Sequence, residues 1–85
     1  MRKRSWEDIT TDILQASLKP EKKMRIMYSA NLNFARFDKY FQELLRKGLI
    51  EIRAGPDGKP TYVTSAKGRT LLAALKKAQE IFNSS

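Results

Sequence analysis

The chain is 85 residues long, which is enough for one domain with a modest core. It has no cysteine and no histidine, which excludes disulfide bridges, zinc fingers and nucleophile–base pairs that use either residue. The 17 Lys and Arg residues against 9 Asp and Glu residues give a formal net charge of +8, which favours polyanionic partners.

The first two helices are predicted from cap signals and apolar spacing. Ser5 and Asp8 have the spacing of a capping box, and the apolar residues after them recur at helical intervals. The first helix is expected to end at Lys19-Pro20, because proline disfavours helical geometry in the residue before it. Pro20 then opens a second helix over about residues 21–28. The residues expected to be buried are Trp6, Ile9, Ile13 and Ala16 in the first helix and Met24, Ile26 and Met27 in the second.

The third helix has the sharpest amphipathic pattern. It follows a predicted turn over residues 29–32, where Leu32 anchors the turn to the core, and it begins after Asn33 as N-cap. Its apolar side contains Phe34, Phe37, Tyr40, Phe41, Leu44 and Leu45, and its other side contains Ala35, Arg36, Lys39, Gln42, Glu43 and Arg46. Lys47-Gly48 is expected to end it, with Gly48 in the left-handed conformation and Leu49 as an apolar clasp.

A two-stranded hairpin is predicted after the third helix. Residues 50–54 alternate apolar and polar side chains, as in a half-buried strand, and residues 61–64 form the returning strand. The loop over residues 55–60 contains Asp-Gly and two prolines, which are typical of a projecting turn. Three helices, a hairpin and a last helix make an α+β, mainly helical fold: a winged helix-turn-helix with residues 1–82 as one domain.

The last helix is predicted to form a contact between two copies of the chain. Thr64 or Ser65 caps it, it runs to about residue 82, and residues 83–85 are expected to be a disordered tail. Its apolar band is wide for a domain this small. The residues predicted to contact a second copy are Leu72, Leu75, Ile81 and Phe82. Two-fold pairing would place two third helices about 34–36 Å apart, the spacing of successive major grooves.

The central part of the chain carries a family pattern. It reads IMYSANLNFARFDKYFQELLRKGLIE and is followed, after the hairpin, by residues 64–68. The matching positions are Lys23, Ile26, Met27, Tyr28, Asn31, Leu32, Leu44, Leu45, Gly48, Leu49 and Ile50. This pattern resembles archaeal winged helix-turn-helix regulators, the group that includes the archaellum regulators, and small basic archaeal chromatin-associated proteins. The resemblance implies double-stranded DNA as the partner and a homodimer paired through the last helix.

The candidate DNA-binding residues lie on three predicted elements. They are Lys22 and Tyr28 in the second helix, Ala35, Arg36, Lys39, Gln42 and Arg46 in the third, and Arg53 and Lys59 in the wing. Arg36 and Lys39 are near the start of the third helix, where side chains reach base edges or nearby phosphates. Gln42 can pair with adenine, and the wing cations can reach a phosphate or the minor groove. The alternative interpretation is that these charges form a solvated surface.

Other functions compete with duplex DNA binding. A protein-interaction winged helix would place the same basic face against an acidic protein partner. Structured RNA is disfavoured, because its deep, narrow groove resists helix insertion. No enzyme, metal or cofactor is expected, since there is no glycine-rich phosphate loop and no nucleophile with a base. The absence of cysteine and of any apolar run near the roughly 18 residues that span a membrane favours a cytoplasmic protein, and the predicted DNA binding adds nucleoid association.

Overall fold

The computed structural model describes residues 4–84, and the elements follow the predicted order. The helices are α1 (Trp6–Ala16), α2 (Lys23–Ser29), α3 (Phe34–Arg46) and α4 (Ala66–Asn83). The strands are β1 (Ile50–Ala54) and β2 (Pro60–Thr64), which pair in antiparallel register. The predicted α+β, mainly helical winged-helix architecture is confirmed. The basic stretch Arg2-Lys3-Arg4, which the sequence offers either as an arm that follows the DNA backbone or as added charge alone, falls largely on residues 1–3, outside the described part of the chain.

The core lies where the first three helices meet. Ile9 and Ile13 of α1 and Ile26 of α2 are fully buried there, together with Phe37 and Phe41 of α3. The rings of Phe37 and Phe41 stack with their centroids 4.8 Å apart. Because these side chains occupy the inner side of α3, its polar side is turned to solvent.

Side-chain caps start three of the helices, as the sequence predicts. Ser5 and Asp8 form the capping box of α1. The Asn33 side chain accepts a hydrogen bond from the Arg36 main-chain N–H at 2.9 Å. Ser65 caps α4 by accepting from the Gly68 N–H at 3.0 Å, so Ser65 rather than Thr64 is the cap. These local bonds fix where α1, α3 and α4 begin.

The first helix is shorter than predicted, because Ser17, the residue after its end, forms hydrogen bonds with β2. It ends at Ala16 instead of Lys19-Pro20. The carbonyl of Ser17 accepts from the Thr64 N–H at 2.7 Å, and the two side-chain hydroxyls lie 3.0 Å apart. A continued helix would need the Ser17 carbonyl for its own next turn.

The start of the second helix was also predicted wrongly. Pro20 does not open it; Glu21 instead forms an antiparallel bridge with Tyr62 of β2, and α2 begins at Lys23. The Glu21 N–H donates to the Tyr62 carbonyl at 3.0 Å, and the Tyr62 N–H donates back at 2.8 Å. The bridge lies on the edge of β2 opposite to β1. It ties the hairpin to the entrance of α2.

Two left-handed residues set the ends of α2 and α3. Asn31 has φ +56°, and the next N–H, that of Leu32, donates to the Met27 carbonyl at 3.3 Å. Gly48 has φ +72°, and the Leu49 N–H donates to the Leu44 carbonyl at 2.9 Å. Both are Schellman ends, in which the residue after the left-handed position is apolar and packs on the core. The predicted roles of Leu32, Gly48 and Leu49 are confirmed.

Four large apolar residues that were expected to be buried are exposed. They are Trp6, Met24, Phe34 and Ile52. Trp6 and Phe34 are the first residues of their helices, beyond the part that packs against a neighbour. Ile52 lies on β1, where only Ile50 is buried and no further layer covers the strand. Periodicity identifies the face of an element but not how far the core extends along it.

The last helix packs on α1 and is partly internal. Leu72 and Leu75, two of the predicted dimer contacts, are buried within the chain, and Gln79 donates to Asp8 at 2.8 Å. Ile81 and Phe82 are exposed, Phe82 to 83%. Of the four predicted dimer contacts, only Ile81 and Phe82 are therefore exposed and available for a contact with a second copy. The helix includes Asn83, which was predicted to belong to a disordered tail; Ser85 lies outside the described residues.

Candidate nucleic-acid interface

The polar side of α3 forms an open basic surface. The members of the predicted site on this helix, Ala35, Arg36, Lys39, Gln42 and Arg46, are all exposed. They lie opposite to the buried residues of the same helix at about 3.6 residues per turn. Within residues 4–84, Arg36 and Lys39 are left exposed, which the proposed insertion of α3 into a groove requires. Their roles in binding stay predictions.

The charges on this surface differ in how far they are neutralised. In residues 4–84 the Lys39 ammonium takes part in no ion pair. Arg46 forms an ion pair with Glu43 one turn earlier. This hydrogen bond holds the pKa of Glu43 below its ordinary value and raises the pKa of Arg46. Lys39 is therefore the less compensated cation, and Glu43 is an acid inside a basic surface.

Gln42 and Lys23 are engaged with Asp38. The Lys23 ammonium lies 2.8 Å from an Asp38 carboxylate oxygen, and the Gln42 amide donates to the same oxygen at 3.4 Å. These contacts, chiefly that of Lys23, hold the pKa of Asp38 below its ordinary value. The same ammonium lies 5.6 Å from the ring centroid of Phe34 and 5.4 Å from that of Phe41. Lys23 thus joins α2 to α3, a role that the sequence analysis missed.

The wing is fastened to α2 by an ion pair. The Lys22 ammonium lies 2.6 Å from a carboxylate oxygen of Asp57 in the hairpin loop. This contact and the Lys59 main-chain N–H, which donates to Asp57 at 3.0 Å, hold the pKa of Asp57 below its ordinary value. Lys22, a predicted DNA-binding residue, is therefore compensated by the wing itself. The two predicted DNA-binding cations of the wing itself, Arg53 and Lys59, are exposed.

Tyr28 and Arg36 are near opposite ends of the turn between α2 and α3. Tyr28 is 71% exposed, so its hydroxyl is accessible for a hydrogen bond. Arg36 is held from one side, because its Nη2 donates to the main-chain carbonyl of Arg4 at 3.2 Å. The sequence does not predict this contact between Arg36 and Arg4, because no local pattern links positions that are 32 residues apart.

Metal-binding clusters and membrane-spanning helices are absent from residues 4–84. This part of the chain has no cluster of acidic, histidine or cysteine side chains suited to a metal ion. None of its helices combines the length and the apolar character needed to cross a membrane. The basic surface of α3, flanked by the wing, is the candidate site that the described residues offer.

A three-helix core with a tight turn before α3 and a hairpin after it defines a winged helix-turn-helix domain. A family model described as winged helix-turn-helix matches residues 3–83, so the chain belongs to this family.

Its relatives are archaeal and bacterial. A protein of Methanocaldococcus jannaschii whose function is uncharacterized is 34% identical over 83 residues, which cover 96% of this chain and 80% of that protein. The crystal structure of Sso10a-2, a DNA-binding protein from Sulfolobus solfataricus, superposes with a TM-score of 0.81 and 26% identity, covering 92% of this chain and 81% of that one. A probable transcriptional regulator from Pseudomonas aeruginosa gives a TM-score of 0.70 at 26% identity, covering 88% of this chain and 58% of the regulator.

Proposed function

We propose that this chain binds duplex DNA and regulates transcription as a cytoplasmic, nucleoid-associated protein. In this proposal α3 lies in the major groove and the wing over residues 55–60 lies on the phosphate backbone. The observation that carries it is the exposed basic side of α3, with Arg36 and Lys39 uncovered near its start. The similarity to a DNA-binding protein and to a probable transcriptional regulator supports it.

The charge distribution of α3 fits a phosphate-lined groove. Arg36 is in the first turn of the helix, where side chains of a recognition helix reach base edges, and Lys39 follows one turn later. Arg46 at the far end and Arg53 and Lys59 on the wing are exposed, which supports assigning them to phosphates on either side. Phosphate contacts position the helix, and base contacts supply sequence specificity. We assign Arg36 and Gln42 to bases and the remaining cations to phosphates.

We further propose that the active form is a homodimer paired through the end of α4. Ile81 and Phe82 are exposed there, and an apolar pair of this size is costly to leave in water. A two-fold dimer would present two copies of α3 to successive major grooves. Selection of bound duplexes from a random pool reports this directly, since a dimer selects a palindromic site.

The proposal is tested by titrating a labelled duplex at several salt concentrations. Contacts to phosphates release counterions, so the logarithm of the affinity is expected to fall with the logarithm of salt by about 0.9 per phosphate contacted. Fluorescence anisotropy measures this slope. An affinity that does not change between low and high salt, or no affinity for duplex alongside capture of an acidic protein, would contradict DNA binding.

The role of α3 is tested by Arg36→Ala and Lys39→Ala. Each is expected to weaken duplex binding by about tenfold to a hundredfold, because a charge-assisted hydrogen bond contributes roughly 1.5–3 kcal/mol. Both residues are exposed, so the unfolding midpoint is expected to stay unchanged. Lys76→Ala is the matched control, since it removes the same charge from an exposed position on α4. If both α3 variants bind as well as the control variant, α3 is not the DNA-contacting helix.

Glu43→Gln is expected to strengthen duplex binding by about twofold to fivefold, the range of exposed charge pairs. The change removes a carboxylate that repels phosphate and releases Arg46 from its ion pair. Glu80→Gln on α4 changes the net charge equally and is expected to have a smaller effect. Anisotropy titrations at one fixed salt concentration compare the two. Equal gains would show that only net charge matters, and that Glu43 lies away from the DNA.

A further inference from the structure

Arg4 is the centre of a contact network beside the turn between α2 and α3. Its guanidinium forms an ion pair with Asp12 of α1. The same group donates to the carbonyl of Ala30 at 2.8 Å and to the carbonyl of Asn31 at 3.0 Å. One side chain thus joins the first helix to the two residues that directly follow the second. Its side chain is 30% exposed, so this cation is partly withdrawn from solvent.

The two carbonyls that Arg4 binds belong to the end of α2. Ala30 is the C-cap and is buried, and Asn31 is the left-handed residue after it. Main-chain carbonyls at a helix end lack a partner within the helix, and a cation is favoured there by the helix dipole. Arg4 therefore stabilises the conformation of the turn, and the turn determines how α3 is oriented relative to α2.

Arg4 also reaches α3 through its main chain. Its carbonyl oxygen accepts from the Arg36 Nη2 at 3.2 Å. A guanidinium has five N–H donors in a fixed plane, so a single bond to a carbonyl leaves donors free while restricting the orientation of the group. The guanidinium of Arg36 is thus held by the segment that the Arg4 side chain anchors.

We propose that Arg4 is a positioning residue for Arg36 in DNA recognition: it fixes the turn and the carbonyl that aim the Arg36 guanidinium. This inference rests on the proposed function, in which Arg36 contacts DNA. It assigns to Arg4 a part in recognition that differs from that of a cation contacting phosphate, because its guanidinium is already engaged with Asp12 and two carbonyls. A side chain whose own rotamer is fixed by supporting contacts binds with less loss of freedom than a mobile one.

The test is Arg4→Lys, which keeps the charge but loses the planar group that spans both carbonyls. We expect it to weaken binding to the selected duplex by about threefold to tenfold, as for residues that share one network. The salt slope is expected to stay the same, because the number of cations does not change. Arg69→Lys is the matched control: Arg69 also donates to a main-chain carbonyl, that of Leu18 at 2.9 Å, but it does not contact Arg36. Binding of Arg4→Lys at the wild-type affinity would overturn the inference.

A double-mutant cycle with Arg36→Ala separates positioning from a general effect on the fold. If Arg4 acts through Arg36, Arg4→Lys is expected to cause no further loss of affinity once Arg36 is alanine. Asp12→Asn, which loosens Arg4 without removing a cation, is expected to behave in the same way. Equal losses with and without the Arg36 side chain would overturn the inference while leaving the proposed function in place. If Arg36→Ala itself binds normally while Lys39→Ala weakens binding, this inference fails and the proposed role of α3 stands; if both bind normally, both fail.

Discussion

Phe37→Ala is expected to lower the free energy of unfolding by about 3–5 kcal/mol, the usual range for truncating a buried phenylalanine. The Phe37 side chain is fully buried and stacks on Phe41. Alanine would leave a cavity beside the Phe41 ring at the centre of the three-helix core. Denaturant unfolding monitored by circular dichroism measures the loss.

The control is Phe34→Ala on the same helix. Phe34 is 56% exposed, and the Lys23 ammonium lies 5.6 Å from the centroid of its ring. An exposed cation–π contact contributes about 0.5–1 kcal/mol, so the loss is expected to be no larger than that. Similar losses for the two variants would show that Phe34 also belongs to the core. The buried face of α3 would then extend to its first residue.

This pair of phenylalanines shows what the sequence could predict about packing. Both fall on the apolar side of α3, and the periodicity assigns that side correctly. It does not show where along the helix the core ends: Phe37 is buried, whereas Phe34, the first residue, is exposed. Trp6 at the start of α1 is exposed for the same reason. How far a neighbouring element reaches is a tertiary property, and it leaves no mark in the local spacing.

Local backbone chemistry was predicted well, and distant backbone pairing was not. The caps at Ser5 and Asn33 and the left-handed Gly48 follow from residues a few positions apart. The early end of α1 depends on bonds between Ser17 and Thr64, 47 residues later. The late start of α2 depends on the bridge from Glu21 to Tyr62. No helical or strand periodicity encodes such pairs.

For the candidate site as well, the sequence predicted local features but not distant contacts. The exposed positions of α3 were predicted from the helical wheel, because exposure on an amphipathic helix is a local property. The partners of the charges were not, since Lys22 meets Asp57 and Arg36 meets the Arg4 carbonyl only in the folded chain. The sequence therefore shows which positions carry a positive charge. It does not say how much of that charge is available to a phosphate.

Gly68 is at a position where the fold leaves no room for a side chain, and the sequence alone does not show this constraint. It is the third residue of α4, and its N–H is bound by the cap Ser65. A Cβ at this position would overlap the carbonyl oxygen of Leu49 and lie 2.7 Å from the Thr64 Cγ2. The Leu49 carbonyl is held in place, because it accepts from the Ser65 N–H at 3.0 Å. The start of α4 can therefore lie against the end of α3 only with a glycine here.

Gly68→Ala is accordingly expected to destabilise the fold by about 1–3 kcal/mol, the usual cost of overpacking. Helix propensity alone predicts the opposite, a gain in stability, since alanine is favoured over glycine inside a helix by about 0.5–1 kcal/mol. Ala73→Gly is the control: position 73 of the same helix is exposed, so the methyl group stabilises there and its removal is expected to cost about 1 kcal/mol. Thermal and denaturant unfolding of both variants measure these two changes in stability. If Gly68→Ala raises the unfolding midpoint, α4 does not approach the Leu49 carbonyl as closely as described, and the joint between α3, β1 and α4 is looser.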